Sequence, residues 1–133
     1  MTRVLLDTSA YAAFMRGHEG VKLAIQEADE LFLNPVVLGE LRAGFIRGRH
    51  RKKNEEELRT FLSSPRVKVI DMNEETSERY AVILNSLWDS GKPIPTNDLW
   101  IASSAMQYGL RVLTTDAHYR DVRQVIVDWF EVS

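Results

Sequence analysis

Four carboxylates stand where an α/β chain could bring them together. Asp7 ends the apolar run Val4 to Leu6, and Asp116 closes the segment RVLTTD that starts at Arg111. Asp98 falls in the first turn of a helix opening in PTNDLWIASSA, where the positive end of the helix dipole favours a negative charge. Glu40 lies on the helix NPVVLGELRAG, with Val36, Val37, Ala43 and Gly44 at the i±3 and i±4 positions. Taken singly, each has a structural use. Asp7 can cap a helix, and Glu40 can face solvent or pair with Arg42 or Arg47. Together they point further, because strand ends and helix starts share one rim of an α/β sheet, and ligands bind outside the carboxyl ends of the strands. Carboxylates within a few ångströms of one another repel, which raises the pKa of at least one. A hard divalent cation removes that penalty. Mg²⁺ takes oxygen ligands, combining one or two carboxylates with waters and substrate phosphate oxygens. The chain has no cysteine, and His18, His50 and His118 are scattered, so the set points to Mg²⁺ or Mn²⁺ rather than zinc. His118 is expected to serve packing or phosphate contact.

The elements that must position these residues are legible from pattern and punctuation. Val4 to Leu6 is too short for an exposed strand and suits a central parallel strand buried on both faces. Asp7, Thr8 and Ser9 then offer caps to a helix that stops near Gly17, and Val21 to Ala28 continues as helix. Leu31 to Leu33 is a second strand. Asn34-Pro35 opens the Glu40 helix, with Asn as cap and Pro at the first helical position. Gly39 and Gly44 each weaken that helix by roughly 1 kcal/mol relative to Ala, which close approach of another helix would offset. Asn54 with Glu57 three residues later is expected to open the next helix as a capping box. Val67 to Ile70 is a third strand, and Asn73 caps a helix that Gly91 ends. Thr96 or Asn97 is expected to cap the helix of Asp98, and Gly109 supplies its left-handed stop. After the turn AHYRDVRQ, Val125 to Phe130 forms the last strand. This alternation predicts an α/β fold: three layers, α/β/α, around a short-stranded, mainly parallel central sheet. No linker or repeat divides the sequence, so residues 1–133 are read as one domain.

Composition sets the limits. At 133 residues, 44% hydrophobic and 27% charged, the chain can bury one core. Without cysteine, thiol catalysis and disulfides are excluded, which fits a cytoplasmic setting. No apolar run approaches the roughly 20 residues that span a bilayer, and the N-terminus reads as carrying no signal peptide. The net charge of −2 gives no global attraction for nucleic acid, although an acidic site and a local basic patch partly cancel in that sum. The dense basic run RGRHRKK supplies such a patch, with Arg49, Arg51 and Lys52 as candidate phosphate contacts. For folding, the run is read as a solvated helix-to-helix junction, with the patch kept as a secondary RNA contact.

The ordered segments LLDTSAY, NPVVLGELRAG, NDLWIASSA and LTTDAHY resemble the motifs of the PIN-domain ribonucleases, and the resemblance covers essentially the whole chain. The short length resembles the VapC toxins of toxin–antitoxin pairs. The resemblance implies a PIN fold in which Asp7, Glu40, Asp98 and Asp116 form the metal-binding, catalytic acidic site, with Thr8 or Ser9, Asn97 and Thr114 as supporting groups. It implies metal-dependent hydrolysis of RNA, a cognate VapB-like antitoxin that blocks the site, and a homodimer. An antitoxin arginine reaching the carboxylates would inhibit by placing positive charge where the metal belongs. One departure is Tyr119, where the family often has Phe. Two alternatives stand beside the toxin: a housekeeping RNA-processing nuclease of the same fold, and a non-catalytic, Mg-binding receiver-like module. The receiver is disfavoured by the lack of an acidic neighbour to Asp7 and of any lysine after Lys92.

Overall fold

The computed structural model describes residues 1–132. The elements run β1 (Arg3–Leu6), α1 (Thr8–Met15), α2 (Glu19–Glu27), β2 (Glu30–Leu33), α3 (Pro35–Arg47), α4 (Arg51–Leu62), β3 (Val67–Val69), α5 (Glu74–Ser90), α6 (Thr96–Tyr108), β4 (Arg111–Thr114), a 3-10 turn (Ala117–Asp121) and β5 (Val127–Trp129). The five strands are all parallel, in the order β3-β2-β1-β4-β5, with helices packed around them. The middle of the sheet is buried on both faces: Leu5, Leu6, Leu33, Val112 and Leu113 have no exposed surface. This is why such short, uninterrupted apolar runs suffice as strands.

From β1 the chain moves outward through β2 to β3, then returns to lay β4 on the other side of β1. The direction of winding therefore reverses between β1 and β4. In an open α/β sheet, this reversal opens a crevice at the carboxyl ends of the strands. Asp7 follows β1 and Asp116 follows β4, one on each side of the crevice. The α6 helix reaches β4 through Gly109 (φ +66°) and Leu110 alone, so it runs antiparallel to the strand. Its first turn, with Asp98, stands at the same rim. Thr76 at the start of α5 donates to Gln107 near the end of α6, which fixes the two as an antiparallel pair.

Several local expectations need correction. The α4 helix begins at Arg51, so Asn54 lies inside it; its N–H donates to the carbonyl of His50, and no side chain caps the helix. Neither Thr96 nor Asn97 caps α6, because extended Pro95 occupies the cap position and its carbonyl takes the first helical bond, from Leu99. Gly39 and Gly44 face open space rather than a neighbouring helix, so the expected close approach is absent. The last strand is shorter than Val125 to Phe130, and the AHYRD segment is a 3-10 turn.

Candidate active site

Asp7 is 3% exposed, and both its oxygens are engaged. Oδ1 accepts the Ala10 N–H at 2.8 Å, the helix cap expected of it. The Ser9 hydroxyl lies 2.8 and 2.9 Å from the two oxygens, and the Thr114 hydroxyl donates to Oδ2 at 2.7 Å. Burial raises the Asp7 pKa from 3.8 to about 6, with the charge of Asp116 adding to the rise; the bonds from Thr114, Ala10 and Ser9 oppose it. Asp7 is thus a cap and a member of a charged cluster at once.

Glu40 does not pair with Arg42 or Arg47. Arg42 lies 3.6 Å from Glu55 instead. Thr8, at the start of α1, donates to Glu40 Oε1 at 2.5 Å, and Asn97, at the start of α6, donates to Oε2 at 3.1 Å. Three helices leaving the same rim thereby hold one carboxylate. Asn97 lies inside the first turn of α6 and gives its side-chain amide to this bond.

Asp98 connects the set. Burial raises its pKa to about 6, followed by the charge of Asp116; Asp7 and Glu40 raise it further. The charges of the other three carboxylates therefore all bear on Asp98. Its Oδ2 is buried and has no hydrogen-bond partner. The buried Tyr119 hydroxyl lies close enough to ease the Asp98 charge, yet it too lacks a hydrogen bond of good geometry. Burial, then the neighbouring carboxylates, push the Tyr119 phenol far above its usual pKa, so it stays protonated.

Asp116 caps the 3-10 turn by accepting the His118 N–H at 2.9 Å. His118 Nδ1 lies 3.0 Å from Asp116 Oδ1 and 3.9 Å from Asp98 Oδ2. Donor atoms of Asp98, Asp116 and His118 all fall within 4.8 Å of one another. His118, expected to serve packing or phosphate contact, is instead beside the carboxylates; its position two residues after Asp116 was the available signal. A divalent cation fits this arrangement on two counts. The donors are mainly hard oxygens, and Asp98 Oδ2 is a buried acceptor without a well-aligned hydrogen bond.

The four supporting residues Thr8, Ser9, Asn97 and Thr114 all bond to site carboxylates. Arg49, Arg51 and Lys52 are not brought to them. They line an open, exposed cleft at the α3–α4 junction, and Gly48 is eight residues past Glu40, roughly 12 Å along the helix. At the far side of the rim, Trp129 lies beside Thr114 in the sheet register, and its indole N–H donates to the Thr115 carbonyl at 3.3 Å. No feature singled out Trp129 from the sequence.

The strand order also differs from the 2-1-3-4-5 order of flavodoxin-like receivers, which removes the receiver-like alternative. A family model described as PIN domain matches residues 4–125. Ribonuclease VapC4 of Mycobacterium tuberculosis is 28% identical over 130 residues, covering 94% of this chain and 95% of that protein. Ribonuclease VapC of Rickettsia bellii is 31% identical over 113 residues, covering 84% of this chain and 83% of its own. The crystal structure of VapBC2 from Rickettsia felis, bound to a DNA fragment from its promoter, shares the fold with a TM-score of 0.81 at 23% identity, over 96% of this chain and 98% of that one. A sheet reversing between β1 and β4, a carboxylate after each of those strands, and relatives matched nearly end to end place the chain in the PIN domain family, within its VapC group.

Proposed function

We propose that this chain is a cytoplasmic, Mg²⁺- or Mn²⁺-dependent endoribonuclease, the toxin of a toxin–antitoxin pair. The observation that carries the reading is the gathering of Asp98, Asp116 and His118, with ligand atoms within 4.8 Å of one another, beside buried Asp7 at the crevice between β1 and β4. The relatives named Ribonuclease VapC support RNA as substrate. In this reading Asp7, Glu40, Asp98 and Asp116 hold the metal, with His118 at the edge of the set. A divalent cation there supplies an activated water and neutralises charge on the leaving oxygen. Thr8 and Asn97 fix the two oxygens of Glu40, while Ser9 and Thr114 fix Asp7, so that the carboxylates are aimed before substrate arrives. Arg49, Arg51 and Lys52 draw in the RNA backbone from the α3–α4 junction. A VapB-like antitoxin covers the acidic crevice with an arginine, and the nuclease works as a homodimer.

Hydrolysis through activated water leaves 5′-phosphate and 3′-hydroxyl ends. Incubation with total RNA, followed by sequencing of the cut ends, should show these ends with Mg²⁺ and no cleavage in EDTA. Cleavage persisting in EDTA, or 2′,3′-cyclic phosphate ends, would overturn the reading.

A further inference from the structure

The carboxyl rim carries one feature that the acidic cluster does not use. Arg120 stands one turn beyond Asp116 in the 3-10 segment, and its guanidinium carbon sits 4.9 Å from the centre of the Trp129 ring. Trp129 ends β5, the edge strand beside β4, and pairs in register with Thr114. The backbone locks it there: the Phe130 N–H donates to the Thr114 carbonyl at 2.9 Å, and the indole N–H bonds the Thr115 carbonyl. A rigid indole is therefore fixed two residues from the backbone of Asp116, next to the strand end that supports Asp7.

Arg120 is exposed, and among the described residues it makes neither a salt bridge nor a hydrogen bond. The arginines of the sheet itself, Arg3 and Arg111, are paired with Glu30 and Asp128. A cation resting on an aromatic face, with no salt-bridge partner among the described residues, has the chemistry that holds an unpaired base. With the indole behind it, the guanidinium offers its outward face for a base to stack on, and its N–H groups can reach a phosphate. The matched family pattern ends at residue 125, so Trp129 lies outside it.

We infer that Arg120 and Trp129 form a stacking subsite for an unpaired nucleobase of the RNA, next to the phosphate presented to the carboxylates. This rests on the ribonuclease reading and adds to it the means by which this chain grips a flanking nucleotide. The subsite is sequence-tolerant, because every base has a face to stack. It selects single-stranded over paired RNA, since a paired base has no free face.

The test uses the full chain. Trp129 is one of three tryptophans, so Trp88→Phe with Trp100→Phe leaves it as the only reporter. In that protein, made cleavage-deficient by Asp98→Asn and loaded with Mg²⁺, a short single-stranded oligouridylate should quench the Trp129 emission saturably, and the same sequence in a duplex should not. In the otherwise unaltered chain, Trp129→Leu and, separately, Arg120→Gln should each weaken RNA affinity about tenfold, raising KM with little change in kcat. Arg120→Gln alters an exposed side chain, so it reports even if Trp129→Leu fails to fold. Saturable RNA binding without quenching, or with affinity unchanged in Arg120→Gln, overturns the subsite and leaves the ribonuclease reading standing. An unaltered protein that neither binds nor cleaves RNA overturns both.

Discussion

Thr114 donates its hydroxyl to Asp7 Oδ2 at 2.7 Å, joining the ends of two paired strands beneath the acidic cluster. The Thr114 Oγ1 in turn accepts the Asp116 N–H at 2.8 Å. One buried hydroxyl thus sets the positions of two carboxylates. Thr114→Val keeps the shape, leaves the Asp116 N–H without its acceptor and removes one of the two hydroxyls beside Asp7 Oδ2, at a cost of about 1–3 kcal/mol for a buried group left unpaired. The variant should unfold at lower denaturant concentration and bind Mg²⁺ more weakly. Unchanged values for both would show that the bond neither supports the fold nor aims Asp7.

Asn97 separates two roles that the sequence left open. If it capped α6, Asn97→Ala would cost about 1 kcal/mol of stability. Because it bonds Glu40 instead, the substitution should leave the melting temperature almost unchanged. Mg²⁺-dependent RNA cleavage should nevertheless fall, through Glu40 losing one of its two supports. A clear drop in melting temperature with full activity would restore the capping role.

The pKa values of Asp7 and Asp98 make a signed prediction for the metal-free protein. Both are raised from 3.8 to about 6 in the fold, so between these values the native state holds protons that the unfolded chain has released. Their stabilising effect is complete below the unfolded pKa and is lost as pH rises through the folded one. In EDTA, denaturant stability should therefore decline from roughly pH 4 to pH 6 more steeply in the unaltered chain than in Asp98→Asn. Equal slopes would place Asp98 outside the repelling cluster.

The basic run tests the approach of RNA. If Arg49, Arg51 and Lys52 each contact a phosphate, replacing all three with Gln should flatten the salt dependence of RNA binding by roughly one unit of slope per lost contact. An unchanged slope would leave the run as a solvated junction between α3 and α4.

Much of this molecule could be read from its sequence, for reasons that differ by element. Val4 to Leu6 was legible as a central strand because only burial on both faces makes a three-residue apolar run useful. Gly91 and Gly109 were legible as stops because their φ values, +68° and +66°, are ones that other residues resist. Helix starts were read less well. The α4 cap was misplaced because nothing local marks where a basic run turns helical, and α6 has no side-chain cap because the helix starts one residue earlier than a cap at Thr96 allows, leaving Pro95 in the cap position. The candidate carboxylates could be named one by one, but whether Asp98 shares a rim with Asp7 depended on the direction of α6. His118 and Trp129 acquire their neighbours only through the 3-10 turn and the β4–β5 register, neither of which the sequence specified.

The central claim is that the four carboxylates form one cation site, and paired thermal melts of the unaltered chain and Asp98→Asn test it most directly. In EDTA at neutral pH, removing one charge from a mutually repelling set should leave Asp98→Asn at least as stable as the unaltered chain, although inactive. Mg²⁺ should then raise the melting temperature of the unaltered protein by mass action, and that of the variant by less. If Asp98 serves only the α6 dipole, worth roughly 0.3–1 kcal/mol, Asp98→Asn will melt lower in EDTA and Mg²⁺ will shift neither protein, a result that would contradict the shared site.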